Sequence, residues 1–308
     1  MRRSEARVGM ALIAPTVIIV IVVVIAPLIW SFSLAFQRVR LINLRNAGVI
    51  GDYSLSNIVA VVNYPGFVDV VITTLGYSIF GTAGSVTLGL VAALALRKPF
   101  RGRGIMRTVM LLPYVAPMVA VAMLWRTMLD PQFGIINFWG TEFLGWADPV
   151  AFLSDRTGEV SIFGASISVP TALLTVIAFE TWRQFPFAFI FFLARLQAVP
   201  DSLEEAATVD GATVSQRFRH ILLPQLLPTI AVLAVLRFIW TFTSFDEIYL
   251  LTRGGAGTQV ISVRVYEFLT GRGDIGLASA QALMIAIILV ILVGIYFKFF
   301  ARSEEDYQ

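Results

Sequence analysis

A chain of 308 residues that is 57% hydrophobic and only 14% charged, with a mean hydropathy of +0.81, has too little interior to hide its apolar surface from water, so most of that surface faces lipid. A net charge of +3 is small for a nucleic-acid binder, and the absence of cysteine excludes disulfides, thiolate metal sites and cysteine nucleophiles. The single histidine, His220, leaves zinc sites and Ser-His-Asp chemistry without their parts.

Runs free of Asp, Glu, Lys and Arg cover residues 8–37, 70–96, 108–125, 160–179 and 275–297, and residues 221–251 carry only Arg237, Asp246 and Glu247. A hydrocarbon core takes about 20 helical residues to cross, and only helices or closed barrels satisfy their backbone groups there. The runs are continuous instead of alternating, which predicts an all-α membrane protein with six transmembrane helices at 8–36, 70–96, 105–128, 168–196, 228–251 and 275–297. The first apolar stretch exceeds the roughly 7–15 residues of a signal-peptide core and is read as a helix.

Thirteen Lys and Arg fall on the N-terminal side of the membrane against eight on the other, with Arg183 and Arg237 inside spans. Basic residues near short loops stay in the cytoplasm. The densest group, Arg97-Lys98-Pro99-Phe100-Arg101-Gly102-Arg103, fixes that turn and both termini as cytoplasmic. The expected organisation is a cytoplasmic N-terminus (1–7), a membrane domain (8–298) and a cytoplasmic tail (299–308).

On span two, Gly81, Ser85 and Gly89 recur every four residues and read as a packing face for a neighbouring helix. Each charge within a span costs about 2.5–3.5 kcal/mol and needs a reason. Glu180, Arg183 and Gln184 share one face of span four, and Arg237, Thr241 and Ser244 share one face of span five, with Trp240 beside them. Such faces suit a sugar, whose hydroxyls need hydrogen bonds and whose C–H face stacks on Trp. The alternative is that Glu180 and an arginine neutralise each other to hold helices together, and that Thr241 and Ser244 merely pack. Asp246 and Glu247, near the outer end, read as solvated, and His220 as a boundary residue without a proton-relay role.

The connection between spans four and five, residues 200–224, reads as two short helices. Ser202 with Glu205 fits a capping box, Gly211 suits the left-handed position ending the first helix, Thr213 caps the second, and Pro224 stops it. Leu203, Ala206, Ala207 and Val209 give the first helix a low-relief surface that another protein can approach closely; an amphipathic connector lying on the membrane is the alternative.

Glu205-Ala206-Ala207, Gly211 four residues on, and Ile221-x-Leu223-Pro224 ten residues after that glycine match the EAA loop of ABC importer permeases. The chain resembles their carbohydrate-uptake branch, which includes maltose and glycerol-3-phosphate permeases, over roughly its last two thirds. Trp182-Arg183-Gln184-Phe185-Pro186-Phe187, Leu196-Gln197-Ala198-Val199-Pro200 and the stretch from Phe245 to Gly255 are similar to family segments, although Gly254-Gly255-Ala256 stands where Gly-Gly-Pro is common. The resemblance implies a MetI-like permease fold whose EAA loop is a coupling helix docking into a cytoplasmic ATPase, with Glu205, Ala206, Ala207, Asp210, Gly211, Leu223 and Pro224 as the coupling set. Glu205 would pair with a basic residue of the ATPase and Gly211 would set the bend. The resemblance further implies that Glu180, Arg183, Gln184, Arg237, Trp240, Thr241 and Ser244 line the substrate pathway. It implies a second homologous permease, two ATPase subunits and an outer binding protein as partners, in a lipid membrane and without nucleic acid.

The chain has no G-x-x-x-x-G-K-[ST] loop and only two lysines, Lys98 and Lys298. It is therefore expected to be a transport subunit and not an enzyme, with no cofactor of its own, ATP and Mg²⁺ belonging to the partner ATPases. The expected cargo is a sugar or oligosaccharide; glycerol-3-phosphate or a phosphodiester is the alternative, since Arg183 and Arg237 offer bidentate phosphate binding, although Glu180 would repel it. An ion-coupled secondary transporter using Glu180 or Asp246 and a membrane-embedded enzyme are the rival classes. The loops 38–69 and 130–159 are candidates for docking the binding protein, the second being acidic through Asp130, Glu142, Asp148, Asp155 and Glu159.

Overall fold

The computed structural model describes residues 2–46, 48, 51–162 and 165–300. Helix α1 (Arg2–Val20) passes through a π turn at Ile21–Ile25 into α2 (Ala26–Ala35), and α3 (Ser56–Val62) precedes the long α4 (Phe67–Ala95). Then come α5 (Arg103–Val115), α6 (Met118–Met128), α7 (Ile135–Phe143), a hairpin of β1 (Gly158–Ile162) and β2 (Ala165–Val169), and α8 (Thr171–Gln197). The short α9 (Asp201–Val209) and α10 (Val214–Arg217) lead through a second π turn into α11 (Leu223–Phe242), followed by α12 (Asp246–Leu251), α13 (Ile261–Tyr266) and α14 (Ile275–Phe300). Among the described residues, five helices are long and apolar enough to cross a membrane, and α5 with α6 makes a sixth if that bent pair is one span.

Three expectations need correction. The third span is not one straight helix, because α5 and α6 meet at a 95° bend. Ala116 lies before a proline and is forced extended, with ψ at 143°, and Pro117 has no N–H with which to continue the ladder. The fourth span starts three residues late, since Gly158–Ile162 and Ala165–Val169 pair as antiparallel strands with Gly158 opposite Val169. Their alternation of Val160, Ser161, Ile162 and of Ser166, Ile167, Ser168, Val169 is a strand pattern hidden in a charge-free run.

The fifth span is displaced toward the connecting loop. Pro224 does not stop the second loop helix, which runs without interruption from Val214 to Phe242. A π turn at Phe218–Leu222 absorbs the misfit, the Leu223 N–H reaching back to the Phe218 carbonyl. The outer part of the expected span is the separate α12, after a break at Thr243 to Phe245.

The chain divides into two compact units, Met1–Val68 with Arg264–Ile288 and Asp69–Val263 with Leu289–Gln308. In the first, Ala35, Val61, Phe268, Ala278 and Ala280 form the core, and Arg264 and Arg272 lie over the ring of Tyr64. The second has two cores. One joins Ala93 of α4 to Ala188, Phe189 and Phe192 of α8 and to Leu226 and Leu233 of α11. The other gathers Tyr77, Val121, Phe179 and Ile248, with Trp125 edge-on to Phe179 at 5.1 Å.

The packing face expected on α4 is present. A Cβ added at Gly89 would lie 2.7 Å from the Ala188 Cβ and 2.8–2.9 Å from backbone atoms of Phe189 and Phe185. Backbone cannot yield as a side-chain tip can, so the glycine is what lets α4 and α8 approach. Gly89→Val is therefore expected to lower stability by about 1–3 kcal/mol or more, read as a reduced midpoint of thermal unfolding in detergent; an unchanged midpoint contradicts this packing.

Candidate functional site

Helix α9 starts after Pro200, whose extended backbone (ψ 128°) supplies no side-chain cap. The expected Ser202–Glu205 capping box is absent, because the helix begins at Asp201 and Ser202 already lies in its first turn. Its C-terminal end matches expectation. Gly211 has φ +81°, the Ala212 N–H bonds the Ala207 carbonyl at 2.9 Å and the Gly211 N–H bonds that of Thr208 at 3.1 Å, which is the Schellman arrangement. Thr213 then caps α10 in a reciprocal box with Gln216.

No residue of α9 is buried. Glu205, Ala206, Asp210 and Gly211 are exposed and Ala207 is half-buried. Leu223 and Pro224, expected to close the loop, lie in the first turn of α11. Glu204 and Thr208 are four apart and so on one face, with Glu205 about 100° round the helix from Glu204. Glu204 pairs with Arg97 of the turn after α4, and Thr208 accepts a hydrogen bond from Arg217. Sequence reasoning missed these four residues; the available signal was two adjacent carboxylates, which a helix points about 100° apart.

The second constellation joins α8 to α11. Arg237 forms an ion pair with Glu180, donates to Gln184 Oε1 at 3.1 Å and to Thr241 Oγ1 at 3.1 Å, and Thr241 in turn donates to Glu180 Oε1 at 3.0 Å. The side chains of the pair are 1% and 2% exposed, so they are sealed from any aqueous path in this conformation. Gly81 of α4 makes room for them: its Cβ would stand 3.1 Å from Glu180 Cγ and 3.3 Å from Thr241 Cγ2. Trp240 is exposed, edge-on to Phe187 at 5.0 Å and 6.0 Å from the Arg237 guanidinium.

Two expected members of this group are elsewhere. Arg183 turns to the α5–α6 bend and donates to the carbonyls of Pro113 and Ala116, each at 3.2 Å. Those oxygens lose helical partners at the break, and one guanidinium satisfies both. Ser244 lies beyond the end of α11 and not on its face; its hydroxyl bonds Glu247. Glu247 is buried, against the expectation that it is solvated, whereas Asp246 is exposed. His220 is exposed and bonded to the Gln216 carbonyl.

A polar cavity of about 400 Å³ is lined by Arg126, Asp130, Ser154, Thr252 and Arg253. The segment after α12 carries left-handed backbone at Arg253 (φ +54°) and Ala256 (φ +51°) as well as at Gly254 and Gly257, which is costly for residues with a Cβ. Among the described residues no group of three acidic or histidine side chains is placed to hold a metal ion.

Residues 85–304 match the family model described as binding-protein-dependent transport system inner membrane component. The chain is 31% identical over 94% of its length to the inner membrane ABC transporter permease protein YcjO of Escherichia coli (strain K12), covering 93% of that protein. It is 30% identical over 97% of its length to the trehalose/maltose transport system permease protein MalF of Thermococcus litoralis, covering 95%. A bacterial ABC transporter involved in the import of the acidic polysaccharide alginate has a chain with the same fold, at a TM-score of 0.78 and 24% identity over 97% of this chain and 96% of that one.

Proposed function

The chain belongs to the family of binding-protein-dependent transport system inner membrane components, and on that premise we propose that it is the permease subunit of an ATP-driven importer carrying a sugar or oligosaccharide. Its partners are a second, homologous permease, two ATPase subunits on the cytoplasmic side and a substrate-loaded binding protein outside. It spans the inner membrane with both termini in the cytoplasm, residues 8–298 being the membrane domain. No bond in the solute breaks, so the chain is a transport subunit and not an enzyme.

One observation carries the reading: α9 is a capped helix with no buried residue, presenting Glu205 and Ala206 to solvent. A helix that buries nothing contributes little to the fold, and its exposed small residues suit a cleft in another protein. Closure of the ATPases around nucleotide moves α9, and the bundle alternates between outward and inward access. Glu205, Ala206, Ala207, Asp210 and Gly211 form the gripped surface, with Leu223 and Pro224 at the head of the helix that receives the motion. The loops 38–69 and 130–159, with the polar cavity beside Arg126 and Asp130, receive the binding protein.

The residue chemistry favours a neutral sugar over a phosphorylated solute. Arg237 spends its two terminal nitrogens on Glu180, Gln184 and Thr241, and Arg183 bonds two backbone carbonyls through Nη1. Arg237 thus offers no fork for bidentate phosphate binding, while Arg183 is tied to the bend. The exposed Trp240, with half-buried Gln184 nearby on α8, supplies an aromatic face and a hydrogen-bonding amide for a sugar. The test is purification from the native membrane with its attached subunits, followed by mass spectrometry of the solute held by the binding protein. A second permease, ATPase subunits and a sugar are expected; a phosphodiester, or a chain that purifies alone and transports without ATP, contradicts the proposal.

A further inference from the structure

Helix α9 has no apolar anchor, since none of its residues is buried. Between it and the turn after α4 lies a cavity of about 640 Å³, lined on one side by Arg97, Lys98 and Arg103 and on the other by Glu204, Glu205 and Thr208, of which Glu204 takes the ion pair. Among the described residues, two polar side-chain contacts, hydrogen bond or ion pair, cross from α9 to other elements: the Arg97–Glu204 ion pair and the Arg217–Thr208 hydrogen bond. The second reaches only the next loop helix. The first reaches α4, because Arg97 directly follows Leu96, which is buried in the core with Ala93, Phe192 and Leu222. Both members of the pair are 14% exposed, so solvent screens them less than a surface pair.

We infer that Arg97 and Glu204 are a positioning pair, a strut that carries displacement of the coupling helix into span two, while Glu205 faces the motor. The division of labour follows from helix geometry. Adjacent residues point about 100° apart, so Glu204 engages the chain's own arginine and Glu205 is left for the partner. Displacement of α9 reaches α11 through the continuous helix that starts at Val214. Without the strut it does not reach α4, and the two spans lose step. This inference rests on the proposed ATP-driven mechanism and deepens it.

The test uses the assembled complex in proteoliposomes, measuring solute imported per ATP hydrolysed for the wild type, Arg97→Glu, Glu204→Arg and the double exchange. Each single reversal is expected to lower that ratio about fivefold or more, and the exchange to restore at least half of it, as for directly coupled neighbours. A second measurement covers variants that fail to assemble. The chain has no cysteine, so spin labels at Lys98→Cys and Val209→Cys, placed before assembly with the other subunits, report the turn-to-helix distance without background from this chain. That distance is expected to hold through the nucleotide cycle in the Arg97 chain and to broaden with Arg97→Ala. A distance equally variable in both, or a ratio indifferent to all three reversals while uptake still needs ATP, overturns the strut. Uptake that proceeds without any ATPase overturns the importer reading itself.

Discussion

Glu205→Lys is expected to reduce ATP-dependent uptake by more than about tenfold while the protein still inserts and accumulates. The residue is exposed and, among the described residues, takes no part in an ion pair, Arg97 being engaged by the neighbouring Glu204. Surface substitutions away from caps, cores and ion pairs usually shift stability by no more than about 0.5 kcal/mol, so folding should be spared. At an interface the outcome differs, because inverting one member of a buried charge pair costs about 2–5 kcal/mol, and each 1.4 kcal/mol is about tenfold in affinity. The variant should therefore lose either the ATPase from the purified complex or the stimulation of hydrolysis by loaded binding protein. Uptake within about twofold of the wild type would remove Glu205 from the coupling surface.

The second large effect concerns the sealed pair between α8 and α11. Glu180→Ala or Arg237→Ala leaves a charge buried without its counterpart, which is expected to cost about 3–5 kcal/mol and to appear as a steep fall in unfolding midpoint. Replacing both, as Glu180→Leu with Arg237→Met, is expected to recover most of that loss, since apolar substitutes for a buried pair are often neutral or stabilising. The double-mutant cycle isolates the interaction. Single variants that lose less than about 1 kcal/mol would mean that water reaches the pair. A stable double variant also separates two roles: retained uptake makes the pair a clamp, and lost uptake makes it part of the sugar path.

The helices legible in the sequence were those whose boundaries depend on charge. Spans two and six, at 70–96 and 275–297, fall within about three residues of α4 and α14, because lipid forbids charges along their length. The bend at Pro117 was not legible in the same way. Pro113, four residues earlier, sits inside α5 without ending it, and the difference lies in the tertiary setting, where Arg183 from α8 takes up the freed carbonyls. The paired strands β1 and β2 escaped because absence of charge says nothing about period.

Within the candidate site, Gly211 and Thr213 were readable since each acts on its own neighbours, one through a left-handed φ and one through a local cap. Which of Glu204 and Glu205 faces inward depends on Arg97, 107 residues away in sequence, and no local pattern records that. The same holds for the arginines. Residue spacing placed Arg183 on the face of Glu180, yet the partner of Glu180 is Arg237, from another helix.

In the proposed importer a separate ATP-consuming motor works this helical bundle through α9. The most direct measurement is uptake into proteoliposomes holding the purified complex, with ATP on the side of α9 and loaded binding protein on the other, before and after the ATPase subunits are stripped away. Uptake is expected to require ATP and to cease on stripping. Solute accumulation by the stripped chain under an ion gradient, with no ATP present, would contradict it.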